Sequence, residues 1–171
     1  MKEIISSVMD NVITWRRDLH QIPEIGNDLP KTSEYVCKQL DNMGVSYKKG
    51  VGLEHAIVAT IEGTKKGGGK TLALRADMDA LPIVEETSLP FASKNGKMHG
   101  CGHDAHTAIL LGTIKVLNQM RDKFSGKVVF LFQPGEELSA GAEPMVKAGC
   151  LDGVDAIIGL HVGNIAGEGT P

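Results

Sequence analysis

Lys127-Val-Val-Phe-Leu-Phe-Gln-Pro-Gly-Glu-Glu137 is the stretch on which the fold turns. Its apolar run is continuous rather than alternating, which predicts a strand covered on both faces, as in a parallel sheet between helical layers. Pro134-Gly135 ends the run, and Glu136 and Glu137 follow at once. Adjacent carboxylates at the end of a buried strand raise each other's pKa unless a positive partner stands nearby. A divalent cation would be such a partner: one carboxylate ligates it while the other takes a proton from water.

Working outward, other segments end in the same way. Thr71–Ala76 reads as a strand and runs into Asp77-Met78-Asp79, while Ala156–His161 reads as a buried strand closing on a histidine. The carboxyl ends of central strands are where open α/β sheets place ligand chemistry. Between them, Lys97–Thr107 packs His99, Cys101, His103, Asp104 and His106 among small residues. Thiolate, imidazole and carboxylate are all transition-metal donors. Read as extended, this segment points Cys101 and His103 to one side. A long helix is expected from about Ala105 to Met120, with Gly112 marking close packing on the sheet. His106 falls in its first turn, where the helix dipole disfavours a protonated imidazole, so it reads as either a neutral ligand or, in preference, a first-turn hydrogen-bonder.

The amino-terminal third supplies scaffold. Ile4, Ile5, Val8, Met9, Val12 and Ile13 recur at helical spacing, and Pro23 ends that helix soon after His20. His20 and Glu24 at its exit read best as surface or capping residues. A second helix is expected from near Lys31, capped by Thr32 or Ser33, to Gly44. Strands are expected over Val45–Lys49 and His55–Ile61, and a short helix over Glu143–Gly149. The Gly/Lys-rich 63–70 segment lacks the Gly-Lys-Ser/Thr ending of a phosphate loop and reads as a hairpin tip. The chain thins into Gly163, Gly167 and Gly169 before Pro171. These elements make an α/β/α sandwich with a mostly parallel central sheet and helices on both faces, its strand order left open.

Composition narrows the function classes. At 171 residues, with 42% hydrophobic and 23% charged residues, the chain suits one domain with its own core. A net charge of -3 without a basic block, and only 4% aromatics, give no support to a nucleic-acid or membrane-surface role. Three cysteines, Cys37, Cys101 and Cys150, cannot all pair, and no secretory leader is evident, so a cytoplasmic setting is expected.

The ordered motifs Arg16-Arg-Asp-Leu-His-Gln-Ile-Pro-Glu, Ala73-Leu-Arg-Ala-Asp-Met-Asp-Ala-Leu-Pro, Met98-His-Gly-Cys-Gly-His-Asp-Ala-His, Phe132-Gln-Pro-Gly-Glu-Glu and Gly159-Leu-His-Val resemble the M20 metallopeptidases. The likeness is to the amidohydrolase branch, which includes hippurate hydrolases, N-acetyldiaminopimelate deacetylases and auxin-conjugate hydrolases. The resemblance implies the zinc-peptidase catalytic fold and Cys101, His103, Glu137 and His161 as ligands of one or two divalent ions. Glu136 would be the general base and then acid, and Asp79 a carboxylate that orients the site. The implied reaction is hydrolysis of the amide bond of an N-acyl amino acid by a metal-activated water. Zinc, nickel and cobalt suit the thiolate, and manganese the carboxylates. Other branches carry His-x-Asp where this chain has Asp77-Met78-Asp79, and Cys101 would replace their bridging carboxylate.

Family members are more than twice as long. The resemblance therefore implies that residues 1–171 form the first half of the catalytic domain, without the lid and dimerisation domain or the carboxy-terminal segment with a further histidine. On that basis the chain alone is expected to bind metal incompletely and turn over little substrate, and the whole protein to be a homo-oligomer, a dimer as in the family. Two other readings stand beside this one: a non-catalytic metal-binding or oligomerising fragment, and a thiol enzyme with Cys101 as nucleophile.

Overall fold

A computed structural model describes residues 2–163; the expected glycine-rich tail at Gly167 and Gly169 lies outside them. The elements are α1 (Lys2–His20), α2 (Pro30–Asn42), β1 (Tyr47–Lys49), β2 (Ile57–Glu62), β3 (Thr71–Asp77), α3 (His103–Gln119), β4 (Lys127–Gln133), α4 (Ala142–Lys147) and β5 (Ala156–Gly159). They build one sheet in the order β1-β2-β4-β3-β5. Only β2 runs against the rest: it pairs antiparallel with β1 and β4, whereas β3 pairs parallel with β4 and β5. The 63–70 segment is thus no hairpin tip, because β4 lies between β2 and β3.

Alternation along the strands divides the core. Ile57, Ala59 and Ile61 of β2, Val128, Phe130 and Phe132 of β4, and Ala76 and Met78 at the end of β3 pack with Trp15, Leu19, Val36, Leu40 and the α3 residues Ala108, Leu111 and Ile114. Val129, Leu131 and Ala73 face the other way, onto Met145 and Cys150. β4 is therefore covered on both sides, as its unbroken apolar run requires. Helices lie on both faces: three against one, the short α4 against the other.

Several local expectations differ from the structure. β5 is exposed along its whole length rather than buried, because among the described residues it pairs on one side only and no helix covers it. Thr32 and Ser33 lie inside α2, whose cap comes from farther off: the Glu24 carboxylate accepts the N–H groups of Lys31 (3.2 Å) and Thr32 (2.8 Å). Gly112 makes room for α1 and not for the sheet, since a Cβ there would sit 2.5 Å from Val12 Cγ2.

Candidate metal centre

The register of β3 and β4 sets the site. Asp77 lies opposite Gln133, so both strands end level, and β5 runs parallel on the other side of β3. Asp77–Asp79, Glu136–Glu137 and His161 therefore leave the sheet along one edge. The amino terminus of α3 is brought to the same edge, where Thr107 Oγ1 donates to the Asp77 carbonyl (3.0 Å).

His103 is the hub, and it lies in the first turn of α3 rather than in an extended loop. Gly102 turns the chain with φ +89°, a left-handed value that a side chain would strain. This turn, and not strand alternation, places Cys101 and His103 together. Donor atoms of Cys101, His103 and His161 all lie within 4.8 Å of one another, and so do those of His103, Glu136 and Glu137. Cys101 Sγ is 3.2 Å from His161 Nε2. His103 Nε2 stands 3.7 Å from Glu137 Oε1 and 3.9 Å from Glu136 Oε2. All four expected ligands and the expected base thus gather around one imidazole.

Both ring nitrogens of His103 and Oε1 of Glu137 are buried without a hydrogen-bond partner among the described residues. Each such atom costs about 1–3 kcal/mol if nothing satisfies it. Asp79 approaches His103 Nδ1 at 3.4 Å, an ion-pair contact rather than an aligned hydrogen bond. It also accepts the backbone N–H groups of Glu136 (3.0 Å) and Glu137 (3.1 Å). One buried carboxylate therefore positions the His103 ring and the Glu136-Glu137 turn together. On the other side, Asp77 Oδ2 is 3.7 Å from His103 Nε2.

Negative charge dominates this pocket. Burial raises the Cys101 thiol, and Glu137, Glu136 and Asp77 raise it further, to about 11. Burial would lower His103, but Asp79, Asp77 and Glu137 outweigh it and hold the imidazole above its usual value. Asp77 stays below the ordinary carboxylate range despite burial, because His106, His103 and Arg75 favour its ionised form. An excess of carboxylates around soft and borderline donors is the environment a divalent cation neutralises.

A second buried network went unread in the sequence. His20 Nδ1 bonds Asp104 (2.7 Å) and its Nε2 bonds Glu85 (3.1 Å), while Arg16 reaches Asp104 at 2.9 Å. It ties α1, the start of α3 and the 85–93 segment into one unit beside the site. The motif holding His20 marked the place, but its partners lie 65 and 84 residues away.

A profile of peptidase family M20/M25/M40 matches residues 73–170. An N-acyl-L-amino acid amidohydrolase of Geobacillus stearothermophilus is 46% identical over 164 residues, covering 95% of this chain and 44% of that protein. Thermostable carboxypeptidase 1 of Saccharolobus solfataricus is 45% identical over 165 residues, 95% of this chain and 42% of that protein. The crystal structure of the Bacillus subtilis YXEP protein, a dinuclear metal-binding peptidase of the M20 family, superposes with a TM-score of 0.87 at 43% identity, covering 92% of this chain and 44% of that one. The chain thus spans less than half the length of the relatives it matches.

Proposed function

Since this chain belongs to peptidase family M20/M25/M40, we propose that it forms the first half of the catalytic domain of a metal-dependent amidohydrolase acting on N-acyl amino acids. One observation carries the reading: a fully buried imidazole with both nitrogens unpartnered, ringed by Cys101, His161, Glu136 and Glu137. His99 is likewise buried with both nitrogens unpartnered but stands in none of the donor groups among the described residues, so it is the convergence of the other donors on His103 that a divalent ion explains.

The residues fit such an ion. Cys101, His103, Glu137 and His161 would hold one or two such ions between them, with Cys101 and His161 in one donor group around His103 and Glu137 in another. A bound divalent ion supplies a nucleophilic water at neutral pH and polarises an amide carbonyl. Glu136 is more open than Glu137, its side chain 41% exposed against 23%. It is therefore the carboxylate placed to meet substrate, take the proton of the attacking water and return it to the leaving amine. Asp79 keeps Glu136 and Glu137 on their separate tasks by fixing both backbones. Zinc, cobalt or nickel suits the thiolate, with manganese as the harder alternative. The three free cysteines accord with a reducing, cytoplasmic setting. Dimerisation through a separate lid domain belongs to the same reading.

The test pairs metal content with turnover in the whole protein. Stoichiometric zinc, cobalt, nickel or manganese should accompany release of free amino acid from N-acetyl amino acids and hippurate. Glu136→Gln should keep the metal and lower the rate by about 10²–10⁴-fold. A metal-free protein, or a fully active Glu136→Gln variant, would refute the assignment.

A further inference from the structure

We propose that His106 is a positioning residue: held by Asp77, it grips the backbone N–H of Val162 and so sets His161 over Cys101 and His103. This inference rests on the metal-site reading above. His106 stands within ligand reach of Asp77 and His103, yet both of its ring nitrogens are already engaged. Nδ1 bonds Asp77 Oδ1 at 2.6 Å, and Nε2 accepts the Val162 N–H at 2.8 Å. An ionised carboxylate only accepts, so the ring proton sits on Nδ1 and the Nε2 lone pair is spent on Val162. No lone pair remains for an ion.

The loop carrying His161 needs such a grip. It leaves β5, an exposed strand paired on one side among the described residues, and residues 160–163 carry no helix or strand. Val162 is held by the His106 bond and by the seat of its Cγ2 over Gly102, where a Cβ would lie 2.5 Å away. The His161 ring then packs edge-on to His106 with centroids 4.6 Å apart, its Nδ1 facing the Val162 carbonyl at 2.6 Å. That leaves Nε2 directed to Cys101. The grip is itself braced, because Arg75 NH1 donates to Asp77 Oδ2 (2.6 Å) and Arg75 Nε to Gln133 Oε1 (2.9 Å). A rigid chain thus runs from the end of β4 through β3 and α3 to the most exposed ligand.

Two amides separate this role from mere packing. In His106→Gln the side-chain oxygen reaches the Nε2 position and can accept from Val162. In His106→Asn the amide can bond Asp77 but falls short of Val162. The readout is a cobalt(II) titration of the intact protein, followed by the thiolate-to-cobalt charge-transfer band and the visible d–d bands, with thermal melts of the metal-free variants alongside. We expect His106→Asn to weaken cobalt binding about 10- to 100-fold. His106→Gln keeps the Val162 bond and gives up the charge-assisted one to Asp77, so it should weaken binding less, by about threefold. Equal weakening in both variants, or none in either, overturns the inference. If one variant does not fold, Asp77→Asn decides. Arg75 demands the amide oxygen, so the NH₂ faces Nδ1, forces the proton to Nε2 and sets donor against donor at Val162. Wild-type affinity in Asp77→Asn overturns the inference, and a loss like that of His106→Asn supports it. A wild type that takes up no cobalt overturns the metal reading and this inference with it. A binding wild type with indifferent variants overturns this one alone.

Discussion

Replacing Asp79 by Asn tests the central geometric claim, because it changes one atom's chemistry and almost no volume. Asp79 is fully buried and accepts the N–H groups of Glu136 and Glu137 on separate oxygens. Asn has one acceptor oxygen, so one of these N–H groups meets an NH₂ instead. The remaining bond falls from charge-assisted to neutral, a loss of about 1 kcal/mol, and the unpaired N–H adds about 1–3 kcal/mol. Relief of repulsion from neighbouring carboxylates is set against loss of attraction to His103, 3.4 Å away. The net expectation is about 2–4 kcal/mol of lost stability in the metal-free protein, or about 4–16 °C in Tm at this chain length. Metal affinity should fall about 10- to 100-fold, because the carboxylate no longer orients His103 or the Glu136-Glu137 turn. Urea unfolding and a zinc competition titration measure the two effects separately. A variant within about 0.5 kcal/mol of wild type, the ordinary scatter of neutral substitutions, with unchanged zinc affinity would refute the reasoning.

Other outcomes follow from the charges and from the open sheet edge. Cys101, raised by burial and by Glu137 to about 11, is a thiol at neutral pH in the metal-free protein. Metal binding must then release its proton, so apparent affinity should rise at least about tenfold per pH unit through neutrality. Calorimetry in buffers of different ionisation heat counts the proton, and pH-independent binding would count against thiolate ligation. Asp104 raises His20 above its usual value, and the His20 bond helps hold Asp104 below its own despite burial. The Asp104 contribution is present above about pH 4 and lost as pH falls through its lowered folded value; the His20 contribution is full below about pH 6.5 and lost as pH rises through its raised folded value. His20→Asn should therefore flatten the alkaline decline in denaturant stability, and an unchanged profile would refute the coupling. Ile158 is 54% exposed on β5, which pairs on one side only among the described residues, so Ile158→Lys should lower light scattering by the chain at high concentration. Equal scattering would show that this edge is not what associates.

Local chemistry, which a sequence carries directly, was enough for much of this protein. The unbroken run Val128–Phe132 required a strand covered on both faces, helical spacing marked α1, and Asp79, Glu136, Glu137 and His161 were visible as donors after strands. Hydrophobic period and side-chain type are properties of neighbouring residues, so they survive without the fold. Tertiary structure alone decided that β4 lies between β2 and β3, which levels Asp77 with Gln133 and turns separate strand ends into one edge. It alone set Glu24 on the α2 terminus, Val12 against Gly112, and His106 between Asp77 and Val162. Those pairings join residues far apart in the chain, and their energy exists only once the polypeptide has closed around them.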